Sequence, residues 1–216
     1  MDDFWNKSAL GLSLKRISHE TRFQIFVAYE NRRGLPEIFN SRIAAQNDHD
    51  ILAFVHDDIW IEDYFLADRI VEGLEAFDVI GVAGNRRRVR DQPAWACKPM
   101  SNGELAWDDM ANLSGSIAHG PEPFGHVSFF GPTPAECELL DGVFLAARKS
   151  TLTTNRVLFD PIFDFHFYDM DFCRSIRKKG LRLGTWPICL THQSGGGYDN
   201  QNWLDKLSLY REKWEK

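Results

Sequence analysis

Residues 51–58 read Ile51-Leu52-Ala53-Phe54-Val55-His56-Asp57-Asp58, five apolar residues stopping abruptly in three polar ones. An unbroken apolar run of this length predicts a strand covered on both faces, as a parallel strand is in an α/β sheet, with the polar tripeptide at its carboxyl end. Working outward, Leu10, Leu14 and Ile17 fall on one helical face behind Asn6 or Ser8 as N-cap. The aromatic and β-branched run 23–28 predicts a strand; Arg32-Arg33-Gly34-Leu35-Pro36 breaks it before a helix over about 36–46. On the other side, Leu66, Ile70, Leu74 and Phe77 mark a helix over about 63–77, followed by a strand at 79–83. The resulting α-β-α-β-α-β order, with short links, predicts an open, mostly parallel sheet flanked by helices. Ligands of such sheets bind beyond the carboxyl ends of the strands, where residues 56–58 sit.

From 84 to 136 the periodicity dissolves into Pro, Gly, Trp and His, with only 127–130 strand-like, and such irregular stretches carry function or move. Trp95, Trp107, His119, Glu122 and His126 are plausible contacts there. Regularity returns with a strand at 143–147, a helix over 169–179 stopped by Gly180, and a strand at 181–186. A last amphipathic helix carries Trp203, Leu207, Tyr210 and Trp214.

Composition bounds the function. A chain of 216 residues with 44% hydrophobic and 26% charged residues suits one well-cored domain and excludes disorder, collagen and disulfide miniproteins. The 25 basic and 31 acidic residues leave a net charge of −6, so no whole-molecule field attracts a nucleic acid. The four cysteines, Cys97, Cys137, Cys173 and Cys189, lack paired metal-ligand spacing and read as reduced thiols of a cytoplasmic protein. No apolar run reaches the ~20 residues of a membrane span, and the acidic start Met1-Asp2-Asp3 is not a signal peptide.

Four segments carry candidate chemistry. His56-Asp57-Asp58 offers oxygens to a hard divalent cation, for which one or two protein ligands suffice when phosphate supplies the rest; in isolation a turn cap before Ile59 is the simpler account. Asp169 and Asp171, in Tyr168-Asp169-Met170-Asp171-Phe172, suit the start of a helix through its dipole, with Asp169 as N-cap, or supply a general base. His192, before the Gly195-Gly196-Gly197 turn, can ligate a metal, and the glycines permit close approach to phosphate. Asp141-Gly142 opens the 143–147 strand and is also a simple turn. The basic run Arg86-Arg87-Arg88, or Arg182, offers charge to a phosphate.

In this order the segments resemble the family-2 type of nucleotide-sugar glycosyltransferases with the GT-A fold, in particular a bacterial glycosyltransferase-like subgroup, over most of the chain. The resemblance implies a Rossmann-like, mostly parallel central sheet in a single domain, with 1–83 as nucleotide-binding half, 84–136 as variable region and 137–216 as acceptor and catalytic half. Phe54-Val55-His56-Asp57-Asp58 is similar to the family's Asp-x-Asp motif, with Asp58 in the metal-binding position and His56 in place of the first Asp. Tyr168-Asp169-Met170-Asp171-Phe172 is similar to its Glu-Asp-x-Asp-Leu segment, which makes Asp169 the base and puts Tyr168 where the family has Glu. His192 falls where a late histidine completes the metal site, and Asp141, Gly142 and Asp171 fall on the acceptor side.

The activity implied is inverting transfer of a hexosyl-type sugar from a nucleoside diphosphate, UDP foremost, to a saccharide or glycoconjugate hydroxyl, with Mn²⁺ or Mg²⁺ as cofactor, as in polysaccharide biosynthesis. The family opens with a strand before its first helix; here the helical pattern begins by Leu10, so that strand is absent or the natural start lies upstream. Tyr29, Glu30 and Asn31 then become the base-recognition candidates, beside His56, Asp57 and Arg86 on the donor. Two other readings stay open: a non-catalytic accessory domain of the same fold, and a metal-dependent phosphoesterase or nucleotidyl enzyme. Oligomerisation through the aromatic C-terminal helix is compatible with each.

Overall fold

The computed structural model describes residues 2–46, 49–99, 105–195 and 200–215. The chain opens with α1 (Asp2–Lys7) and α2 (Ala9–Arg16). Ser8 is the cap between them, its Oγ accepting from the Gly11 N–H at 3.0 Å, and a Cβ on Gly11 would lie 2.1 Å from the Phe4 carbonyl oxygen, so the close crossing needs glycine. Next come α3 (Leu35–Ala44), β1 (Ile51–Val55), β2 (Ile59–Ile61) and α4 (Leu66–Ala76), whose Leu66, Ile70 and Leu74 are buried as the spacing predicts. Short strands follow: β3 (Val79–Gly81), β4 (Ala83–Asn85), β5 (Cys97–Pro99), β6 (Leu105–Trp107), β7 (Leu113–His119), β8 (His126–Gly131), β9 (Ala135–Cys137), β10 (Leu139–Leu140) and β11 (Phe144–Arg148). The chain closes with α5 (Lys149–Thr154), α6 (Tyr168–Lys178), β12 (Leu183–Thr185), β13 (Leu190–His192) and α7 (Gln201–Trp214).

The sheets overturn the expected mostly parallel, Rossmann-like arrangement. One sheet has the order β1-β11-β3-β12-β9 and the other β10-β4-β7-β13-β2 with β8 also on β7; one of the sheets curls into a half-barrel, and β5 and β6 form a separate pair. Among the described residues only β3 with β12 and β7 with β13 run parallel, and the other pairings are antiparallel. The physical reason is that an apolar run reports covered faces, not strand direction. Thus β1 lies at an edge, antiparallel to β11 in the register Val55 with Phe144.

Four chain passages cross from the first sheet to the second: β1 to β2, β3 to β4, β9 to β10 and β12 to β13. The predicted strand 79–83 is therefore two strands in different sheets, bent at the buried Val82. Two further expectations are corrected. Residues 23–28 form no strand, and Gln24, Ile25 and Phe26 are exposed, because no ladder recruits the segment's β propensity. The 84–136 stretch is not a loop region: it contains β7, the centre of the six-stranded sheet, whose Leu-Ser-Gly-Ser-Ile-Ala-His composition gives little strand signal and whose register shifts at Gly115/Ser116.

An aromatic cluster sits under the crossing after β1. Phe159 and Phe172 stack at 4.0 Å between centroids, Phe39 and Phe54 meet at 4.8 Å, and Tyr168 lies 5.9 Å from Phe39. These rings join α3, β1 and α6, and each such pair adds about 0.5–1.5 kcal/mol to the area it buries. Against α6 packs α7, through buried Trp203, Leu207 and Tyr210. Among the described residues no helix is long and apolar enough to cross a membrane.

Candidate functional site

The seam between the two sheets presents four short segments to one cleft of about 510 Å³: residues 56–58 after β1, Asp141-Gly142 before β11, the first turn of α6, and the end of β13. Local hydrogen bonding holds each. The His56 N–H donates to the Val143 carbonyl at 3.2 Å, continuing the β1/β11 ladder, and the Leu10 N–H, spare at the start of α2, donates to the Asp57 carbonyl at 3.2 Å. The antiparallel pairing of β13 with β2 places His192 opposite Ile59, and the Gln193 N–H donates to the Asp58 carbonyl at 2.9 Å. Register thus brings Asp58 and His192 side by side, though the chain separates them widely.

The Asp58 carboxylate lies 3.2 Å from His192 Nε2 and 3.9 Å from His56 Nδ1, and one donor atom from each of the three residues falls within 4.8 Å of the others. Ligands about 2.1 Å from a cation are separated by roughly 3.0–3.4 Å at neighbouring positions, so the 3.2 Å pair of Asp58 and His192 already has ligand spacing, while His56 would have to close in from 3.9 Å to share the ion. Burial works to raise Asp58, yet the hydrogen bond and charge of His192, with Ser194 and His56, hold it at about 2. Burial also holds His56 below its ordinary value, against the carboxylates of Asp141 and Asp58, which keeps the imidazole neutral as ligation requires.

Asp169 is the second residue of α6, not its N-cap; that place belongs to Phe167, in the left-handed conformation at φ 65° and pinned by Trp203 and Tyr210. Asp169 instead turns both oxygens to backbone donors, Met170 N–H at 2.8 Å and Gly142 N–H at 3.1 Å. Burial raises it to about 7, with the charge of Asp141 adding to the rise against those two N–H groups. A half-buried carboxyl that ionises near neutrality beside a cleft is suited to general base chemistry. Asp141 is itself held by Trp95 Nε1–H at 2.6 Å and by the Val143 N–H at 2.8 Å.

The remaining expected site residues separate. Asn31 borders the cleft, its side chain engaged with the Arg33 backbone, while Glu30 is exposed at a left-handed φ of 48° and does not line it. Arg86 is exposed and outside the cleft; Arg87 pairs with Asp108 at 2.5 Å and Arg88 with Glu215 at 3.2 Å. Arg182 is committed to the Ala76 carbonyl, and its N–H to Asp78. Asp171 faces away, fully buried under α7 with Trp214 Nε1–H and Lys213 Nζ each at 2.7 Å. Gly195 is exposed, and Gly196 and Gly197 lie outside the described residues.

The described residues lining the cleft include Asp57, Asp58, Asp141 and Asp169 but no lysine or arginine. The sequence assigned no partner to two of the linings, Trp95 and Tyr168. The Tyr168 hydroxyl touches both His56 and Gly142, a contact that only the meeting of β1, β11 and α6 creates. No protein-family model matches the chain, and no curated protein matches it at a significant level.

Proposed function

We propose that this chain is a divalent-metal-dependent, inverting glycosyltransferase that moves a sugar from a nucleoside diphosphate, UDP foremost, to a hydroxyl of a saccharide or glycoconjugate. One observation carries the reading: a His56/Asp58/His192 donor set and a carboxyl raised to about 7, Asp169, share a cleft that holds no basic side chain among its described residues. The mostly parallel fold no longer supports it; the site alone does.

His56, Asp58 and His192 would hold the cation, and two imidazole nitrogens favour Mn²⁺ over Mg²⁺. An ion held there would supply positive charge to offset the charge that develops on the departing diphosphate. Asp169 accepts the proton of the attacking hydroxyl as the acceptor oxygen bonds to the anomeric carbon and the carbon–phosphate oxygen bond breaks on the opposite face. Gly142 N–H and Met170 N–H keep the Asp169 carboxylate oriented while it does so. Four carboxylates without a compensating cation repel a diphosphate, so the donor should bind only after the metal. The four cysteines are free, in keeping with a cytoplasmic setting, where nucleotide sugars are at hand.

The test is thermal stability of the whole chain against UDP-, GDP- and dTDP-sugars with and without Mn²⁺, followed by turnover with saccharide acceptors. A metal-dependent shift for one nucleotide and sugar transfer lost in Asp169→Asn are expected. No shift across the panel overturns the reading in favour of a non-catalytic domain, and release of free phosphate or pyrophosphate without sugar transfer overturns it in favour of a phosphoesterase or nucleotidyl enzyme.

A further inference from the structure

Tyr168 is fully enclosed at the start of α6, and its hydroxyl makes two short contacts: to the Gly142 carbonyl oxygen at 2.8 Å and to His56 Nε2 at 2.8 Å. The row of heavy atoms is nitrogen, hydroxyl oxygen, carbonyl oxygen. A carbonyl only accepts, and the hydroxyl has one proton. Were that proton directed at His56, the hydroxyl and carbonyl oxygens would face each other with no hydrogen between them. Only one arrangement satisfies both contacts: Tyr168 donates to Gly142, and His56 Nε2–H donates to Tyr168.

A neutral imidazole protonated at Nε2 carries its lone pair on Nδ1. Nδ1 is the atom of His56 that faces the Asp58 carboxylate, at 3.9 Å. Resting on the metal reading of this cleft, we infer that Tyr168 is a positioning residue of the metal centre: it locks His56 in the Nε2–H tautomer and turns the Nδ1 lone pair to the cation.

Two features support this. Its ring is clamped by Phe39, Phe159 and His56 at 5.9, 6.0 and 6.3 Å, leaving the hydroxyl no other direction. At Gly142 a Cβ would stand 2.4 Å from the Tyr168 oxygen and 2.8 Å from Asp169 Cβ, so the absence of a side chain there lets the tyrosine and the candidate base engage the carbonyl and the N–H of one residue. A ligating histidine whose other nitrogen is tied to a fixed acceptor is the usual second layer of a metal site, and loss of such a partner weakens metal binding by about 10–100-fold.

The test uses the full chain with ¹⁵N-labelled histidine, metal-free, at a pH well above the imidazole range. Long-range ¹H–¹⁵N spectra report the tautomer of His56, assigned by its loss in His56→Gln, and calorimetry reports Mn²⁺ affinity. Expected are an Nε2–H His56 in the native chain, and in Tyr168→Phe a redistribution between tautomers with Mn²⁺ affinity reduced about 10–100-fold. An Nδ1–H His56 in a native chain that binds Mn²⁺ overturns the relay alone, and needs no variant to fold. Undiminished Mn²⁺ affinity in a folded Tyr168→Phe does the same. A native chain that binds no Mn²⁺ overturns the metal reading itself, and with it the ligand role of His56.

Discussion

Replacing Asp169 by Asn should make the protein more stable at alkaline pH and slightly less stable in acid. The folded chain raises this carboxyl from its ordinary 3.8 to about 7, chiefly by burial. For an acid whose folded value is raised, the native state binds the proton more tightly than the unfolded chain does. Its contribution is therefore intact below about 3.8 and lost progressively as pH rises through about 7. At ~1.4 kcal/mol per pH unit, the fully ionised state is penalised by about 4 kcal/mol. Asparagine removes the charge and keeps the shape, but it can accept only one of the two N–H groups that Asp169 now accepts, from Gly142 and Met170. Losing one such bond costs about 1 kcal/mol. A net gain of about 3 kcal/mol is expected at a pH of about 8.5, and a small loss at a pH of about 4. For a chain of this size that gain is worth roughly 6–12 °C in midpoint temperature. Urea denaturation of both proteins at the two pH values measures it. Equal stability differences at both pH values would refute the assignment of a raised carboxyl. The same variant should lose sugar transfer, so a gain in stability paired with a loss of turnover identifies a strained functional group.

Asp58→Ala should abolish measurable Mn²⁺ binding by calorimetry, since it removes the carboxylate shared by His56 and His192, and metal-dependent donor binding should vanish with it. Because Asp58 is held at about 2, its share of stability is present above its ordinary 3.8 and disappears only as pH falls toward about 2. Gly142→Ala should destabilise the fold by about 1–3 kcal/mol through overpacking against Tyr168 and Asp169, and should lower turnover in proportion to their displacement; chemical denaturation and steady-state assays read the two effects. Asp171→Asn should leave kcat and Mn²⁺ affinity unchanged, because the side chain lies under α7 with Lys213 and Trp214 and away from the cleft; a fall in kcat in a variant as stable as the native chain would return Asp171 to the cleft.

Local chemistry made several elements legible. The Ser8 cap, the Leu66-Ile70-Leu74 face of α4 and the body of helix α6 depend on contacts within a few residues and lie where periodicity predicts, as does strand β1, although its ladder partner β11 is remote in the chain. Asp58, Asp141, Gly142, Asp169 and His192 were also visible as residue types in suggestive order, and they line one cleft. Arg86 and Asp171 looked equally suitable in sequence and lie elsewhere, because charge and spacing do not say which face of an element meets the seam.

By itself the sequence determined helices α2, α3, α4, α6 and α7, the strand that ends in His56 and the acidic and histidine side chains from which a metal site can be made, while the short α1 and α5 went unread, since propensity, caps and apolar period act over one or two turns. Strand direction, the division of 79–83 between two sheets and the failure of 23–28 to join either were decided by tertiary pairing, which an apolar run does not encode. The same pairing decided the site: the β13 register sets His192 beside Asp58, burial against Asp141 raises Asp169, and Gly142 brings Tyr168 to His56. Each of these is a contact between segments remote in the chain, and its energy exists only once both are in place.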